Sequence, residues 1–392
     1  MNIKKLVLLL CMSLLMVGPV LAQDDSEESS ISVFTASQPA QFWLGYPGRS
    51  GDATFIYHAI HCSLTELDGD FNVAGDLADS WDISDDGMTY TFNLNPNATF
   101  HDGTPVTAAD VEFSWVVFAT PNARTESRVR QPVYGSIMGA DAVVESAASE
   151  DVVGYADTTK YEGIEIIDDH TISFTLTDPN PLWISVISDG SPNGYILPKH
   201  ILEDVPYDEY PTHPMNIDSP IGCGAYQLTQ IEEGQFVELT AYDAHHMGEP
   251  NIDTIFVHSW LTNEVAAAQL ESGELDLVIG LSLDDAQRLE SNENIDVLTT
   301  NASNAYQLSL NLDPRDIDLR VRQAMAHAID RQGILDAVFF GLGEVIECCY
   351  FQEWARPDAN DPLPYDPDLA RELLAEAEAD GAWDADNALP IL

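Results

Sequence analysis

The chain has 392 residues, with 66 acidic side chains against 15 basic ones and a net charge of −51. That balance excludes the basic patches needed to bind nucleic acid or an anionic membrane surface. Hydrophobic residues make up 45% of the chain, so the acid excess does not signal disorder, and the length suits roughly two or three domains.

Lys4 and Lys5 precede an apolar run, Leu6 to Val17, that is too short for an ordinary membrane span. This is the pattern of an export signal, and Val20-Leu21-Ala22 predicts cleavage after Ala22 with a mature start at Gln23. Cys11 lies inside the apolar run, without the small residues that precede a lipidated cysteine. Residues 23–30, acidic and serine-bearing, read as a solvated tether. Beyond the leader the lysines are Lys160 and Lys199 alone. We take that depletion as the motive for a hypothesis of salt adaptation, which equal thermal stability in low and molar salt would contradict.

Asp85-Asp86-Gly87 is a turn signal between two short alternating runs, so residues 81–94 predict a β-hairpin. Tyr90, Phe92 and Leu94 share its buried face. Thr107 and Asp110 have capping-box spacing and start a helix carrying Val111, Phe113, Ser114 and Trp115. Residues 119–161 have weak periodicity and are read as loops. A second hairpin follows over 164–176, turning at Asp168-Asp169-His170. The glycine-rich turn Ile221 to Tyr226 opens another strand pair, with Phe236, Glu238 and Leu239 on the return.

Val265, Ala266 and Leu270 predict a short helix stopped by Gly273, and Leu275 to Ile279 a strand after it. Val321, Ala324, Met325, Ala328 and Ile329 mark an amphipathic helix, with Arg320, Arg322 and Arg331 on its solvated side. Asp366 and Pro367 supply the cap and first turn of a last helix that ends at Gly381.

Signatures of catalysis are missing: there is no Gly-x-Ser-x-Gly, Ser-x-x-Lys or His-Glu-x-x-His, and no phosphate-binding loop. No cofactor is expected. His245 and His246 are adjacent, and on a strand they would point to opposite faces, so they are not read as a metal pair. His58 and His61 share a face if their segment is helical, where packing is the plainer role. Asp85-Asp86 and Asp168-Asp169 sit in turns, where aspartate accepts local backbone hydrogen bonds, and are not read as an acid-base pair. Besides Cys11 the cysteines are Cys62, Cys223, Cys348 and Cys349. An oxidising compartment admits a Cys62 to Cys223 bridge, though spacing alone does not fix the pairing.

Several blocks carry a resemblance. These are Leu77 to Trp81 with Ser84 to Leu94, Phe100 to Val111, Ser219 to Tyr226, and Arg320 to Asp330. In this order they resemble the extracytoplasmic solute-binding proteins of family 5, the dipeptide, oligopeptide and nickel-binding class. Cys223 and Ala225 depart from the family's usual Thr and Pro.

The resemblance implies a two-lobed α/β Venus-flytrap fold with an additional inserted domain. Lobe I is expected at residues 31–74 plus 162–273, the inserted domain at 75–161, and the distal lobe at 274–392. The family's usual C-terminal return does not follow, so the distal lobe is expected to be incomplete.

The implied role is the exported substrate-binding component of an ATP-driven importer, periplasmic or otherwise extracytoplasmic, with association to the membrane as the alternative. As a monomer it would take a di- or oligopeptide between its lobes and present it to permease subunits. Candidate ligand contacts by position are Phe42, Trp43, Asn193, Gly194, Tyr195, Asn304 and Tyr306. Receptors for nickel, a metallophore or another solute, a sensory binding protein and a secreted hydrolase are the competing readings.

Overall fold

The computed structural model describes residues 29–35, 54–69, 72–120, 132–147, 149, 151–188, 194–298, 306, 308, 310, 317–346 and 363–384. The expected leader, residues 23–28 of the tether, Phe42, Trp43, Asn193, Asn304, Cys348 and Cys349 lie outside the described residues. The chain divides into two compact units, Met1–Gly280 and Leu281–Leu392.

In the first unit the strands are β1 (Ser30–Thr35), β2 (Thr65–Leu67), β3 (Val73–Gly75), β4 (Ala78–Ile83) and β5 (Thr89–Leu94). After them come β6 (Ile164–Asp168), β7 (Thr171–Thr175), β8 (Tyr226–Glu232), β9 (Phe236–Ala241), β10 (Thr254–His258) and β11 (Leu277–Ile279). The helices used below are α1 (Thr54–Ile60), α2 (Ala108–Ala119), α3 (Pro132–Gly135), α4 (Ala140–Ala147), α5 (Trp183–Ile187) and α6 (Asn263–Ser272).

A mixed sheet runs in the order β11-β1-β10-β9-β8, with β1 parallel to both β10 and β11. Val33, Phe34 and Thr35 of β1 are buried in succession, as expected for a central strand covered on both faces. Val33 belongs to the main core, whereas Phe34 packs with Ala266 of α6 and with Leu275. β1 begins within the expected tether: Ser30 opens it, and the Ser29 N–H donates to the Asp253 carboxylate at 2.5 Å. β11 pairs with β1, so the strand read near 275–279 belongs to this sheet of the first unit.

A second sheet runs β4-β5-β7-β6, antiparallel throughout. Both predicted hairpins are present, and β5 buries Tyr90, Phe92 and Leu94 as its alternation requires. The pairing of β5 with β7 puts the second hairpin in the sheet of the first, across the expected boundary at 161/162. The buried face is aromatic: Phe92 and Phe174 meet at 5.8 Å, Trp115 of α2 lies 5.0 Å from Phe174, and Trp183 of α5 lies 4.9 Å from Tyr90. Trp183 also donates its indole N–H to the Val133 carbonyl at 3.0 Å.

The loop reading of 119–161 is corrected by α3 and α4. α4 is held by burial of Ala140 and Val143 with Val144 packed against the core, a short apolar patch that produces little periodicity across an acidic, alanine-rich segment. Nearby, Lys160 lies over the ring of Tyr155, 3.1 Å from its centroid, with Lys199 at 5.9 Å. The Tyr155 hydroxyl donates to Glu112.

The second unit contains α7 (Leu283–Leu289), α8 (Leu319–Ala328), α9 (Arg331–Val338) and α10 (Pro367–Ala379). Ile317, Val321 and Ala377 form its buried apolar cluster among the described residues, with Leu374 and Trp383 against it. Asp366 caps α10 by accepting from the N–H groups of Asp368 and Leu369. Arg320 is not simply solvated: it donates to Asp318 at 3.0 Å and to Asp380 at 2.7 Å.

Candidate functional site

Sequence blocks far apart in the chain meet around His101. Its backbone N–H donates to the Gly222 carbonyl at 2.9 Å, its Nε2 lies 3.0 Å from the Gly224 carbonyl, and its Nδ1 accepts from the Gly222 N–H at 3.3 Å. That pattern fits a neutral ring protonated at Nε2. Burial, opposed by the Gly224 hydrogen bond, takes its pKa from the ordinary 6.5 down to about 4.

Gly222 and Gly224 are required by closeness and not by turn shape. A Cβ on Gly222 would fall 1.9 Å from the Ile60 carbonyl oxygen, and one on Gly224 2.5 Å from that of Ala59. Between them Cys223 is joined to Cys62 by a disulfide, with Cα atoms 5.1 Å apart. The departure at Cys223 therefore serves this crosslink. The neighbouring Asp110 carboxylate accepts from the Thr107 N–H and hydroxyl and from the Lys199 N–H, and burial still holds its pKa above the usual carboxylate value.

Of the expected ligand contacts, Gly194 and Tyr195 lie next to the Cys62–Ser63 segment that precedes β2. Tyr195 forms an antiparallel bridge with Ser63, and its ring lies 5.6 Å from that of His58 and 5.7 Å from that of His61. His58 and His61 thus share the face that helical spacing implies, with an aromatic ring against it. Tyr195 is buried, so its side chain is core, while Gly194 lies close under Ile187: a Cβ there would be 2.4 Å from the Ile187 carbonyl oxygen. Tyr306, in the other unit, is 89% exposed and rests on Phe339 at 4.9 Å.

The aspartate pairs behave as read. Asp86 accepts from the Ser84 hydroxyl and the Met88 N–H, and Asp168 from the His170 N–H. These bonds hold both carboxyls below their ordinary value.

The argument that His245 and His246 point apart does not hold, because they lie beyond the end of β9 in a turn and not on a strand. Their rings are 4.4 Å apart. His246 Nε2 lies 3.0 Å from the Asp76 carbonyl oxygen and 3.3 Å from its Oδ1, and the other Asp76 oxygen accepts from the Ser63 N–H at 2.6 Å. Burial, and then His246, lowers the pKa of His245. Burial, and then the Asp76 charge, raises that of Glu66. No local signal could have joined Asp76 to a histidine pair so distant in sequence.

The two larger sheets of the first unit, with the helices packed on them, give a mixed α/β architecture, and comparison with solved structures identifies it as a periplasmic-binding-protein fold. NikZ of Campylobacter jejuni, solved in complex with Ni(L-His), superposes with a TM-score of 0.69 at 24% identity, covering 89% of this chain and 63% of that one. AppA of Bacillus subtilis, solved with a nonapeptide, gives 0.67 at 25% identity, covering 89% and 64%.

The model for bacterial extracellular solute-binding proteins, family 5 Middle, matches residues 72–388, and the chain belongs to this family. A putative ABC transporter peptide-binding protein of Brucella ovis is 30% identical over 317 residues, covering 81% of this chain and 53% of its own length. The oligopeptide-binding protein AppA is 28% identical over 351 residues, covering 86% and 58%. The chain thus spans little more than half the length of these relatives.

Proposed function

We propose that the chain is the substrate-binding component of an ATP-driven importer, capturing a di- or oligopeptide outside the cytoplasm and delivering it, as a monomer, to permease subunits. The observation that carries this reading is the family match over residues 72–388, together with relatives named for peptide or oligopeptide binding. The N-terminal export pattern and the Cys62–Cys223 disulfide both support an oxidising extracytoplasmic location. Among the described residues no helix is long and apolar enough to cross a membrane. The role is capture and not turnover: a peptide shifts the protein toward the conformation it binds better, by its differential affinity for that state.

A thermal-shift series on the purified chain tests the reading. Di- to pentapeptides at 100 times their Kd add about 2.7 kcal/mol of apparent stability and are recovered intact by mass spectrometry. A cooperative melt raised only by nickel chelates would replace the peptide reading with the nickel one. Cleaved peptide would replace capture with hydrolysis.

A further inference from the structure

The turn after β9 and the link between β3 and β4 bring three metal-capable side chains together. One ligand atom from each of Asp76, His245 and His246 lies within 4.8 Å of the other two. We propose that this cluster binds a divalent transition ion of the zinc class through one carboxylate oxygen and two imidazole nitrogens. The site lies wholly within the first unit.

Three observations converge on it. First, the donor set is right in kind, since imidazole and carboxylate together suit zinc and its neighbours better than calcium or magnesium, which favour all-oxygen shells. Second, the His246 side chain is only 1% exposed and its Nε2 lies 3.3 Å from Asp76 Oδ1, close to the roughly 3.4 Å that separates two nitrogen and oxygen ligands on one tetrahedral zinc ion.

Third, the outer contacts are those of a positioned ligand set. The Asp76 carbonyl and carboxylate both face the His246 Nε2 edge, while Asp76 Oδ2 is oriented by the Ser63 N–H and approached by the Ser63 hydroxyl at 3.3 Å. Such supporting bonds hold ligands in place before the ion arrives.

The arrangement also indicates what the ion would do. Asp76 precedes β4, the histidines follow β9, and Ser63, next to Cys62, forms the bridge to Tyr195. An ion held there ties these separate chain segments together beside the disulfide. Three protein donors leave a fourth tetrahedral position to water.

The test uses the full chain stripped with EDTA and dialysed against Zn2+ in moderate salt, which suppresses loose binding to an acidic surface. Saturable uptake of a single equivalent, with a raised melting temperature, is expected. His245→Gln and Asp76→Asn each weaken uptake by at least about tenfold and abolish the melting shift. His245 is only partly buried, so His245→Gln should keep the cooperative melt and provides the decisive comparison if Asp76→Asn does not fold. The proposal is overturned if the wild-type chain shows no saturable uptake. It is equally overturned if His245→Gln binds as tightly as wild type, because the ion then sits elsewhere, whether at a cargo site or on surface acids.

Discussion

The two units solve the same problem of stability by different means. In the first, stacked aromatic side chains from two sheets and several helices fill one continuous core, and the polar groups within it are tied by specific bonds such as those of His101 and Asp110. In the second, the described helices α8 and α10 share a small apolar seam and rely on caps and on Arg320 bridging Asp318 and Asp380. Buried area can be summed over many residues, whereas a short seam leaves each helix dependent on its ends.

Substitutions that attack the first solution should cost most. Trp183→Ala removes a ring packed on Tyr90 and Phe174 together with the bond to Val133, and should lower stability by about 3–5 kcal/mol in urea unfolding. Cys62→Ser opens a loop with a sequence separation of 161 and should cost about 2–5 kcal/mol. A loss below 1 kcal/mol would mean that the close approach of Gly222 and Gly224 holds this region without the crosslink.

The His101 ring sharpens the contrast through pH. Its folded pKa of about 4 lies below the ordinary 6.5, so its neutral form stabilises fully above 6.5, and that contribution is lost as pH falls toward 4. The loss is at most roughly 3 kcal/mol, read as the difference in pH slope between wild type and His101→Gln. Identical slopes would show that the ring is protonated without penalty.

In the second unit Val321→Ala should cost about 2 kcal/mol, and should leave the unfolding of the first unit unchanged if the two melt separately. Arg320→Ala should have the smallest effect, and less still in molar salt, since its partners are solvated. A salt-independent loss there would indicate that the guanidinium acts through packing.

Elements whose cause is local were legible. The hairpin at Asp85 to Gly87, the Thr107 cap with Asp110 three residues on, and the Gly273 stop all announce themselves within a few residues. α4 was missed because only Ala140, Val143 and Val144 pack against the core, too short an apolar patch to show a period. The grouping of β6 and β7 with β5 was missed because sheet membership depends on pairing between distant segments. The same reason hid the meeting of Asp76 with His245 and His246, and made the Cys62 partner undecidable from spacing. Gly194 and Tyr195 were placed by family position, and Tyr195 proves to be buried against two histidine rings.

The crosslink between Cys62 and Cys223 also bears on how the molecule responds to damage. It encloses both hairpins and all the helical segments between them. A protease that cuts the backbone once anywhere between those cysteines leaves the two pieces joined by sulfur. Such a nicked molecule would migrate as one species on a non-reducing gel and separate into two fragments only after thiol treatment, so intactness measured without reductant would overstate the fraction of uncut chains.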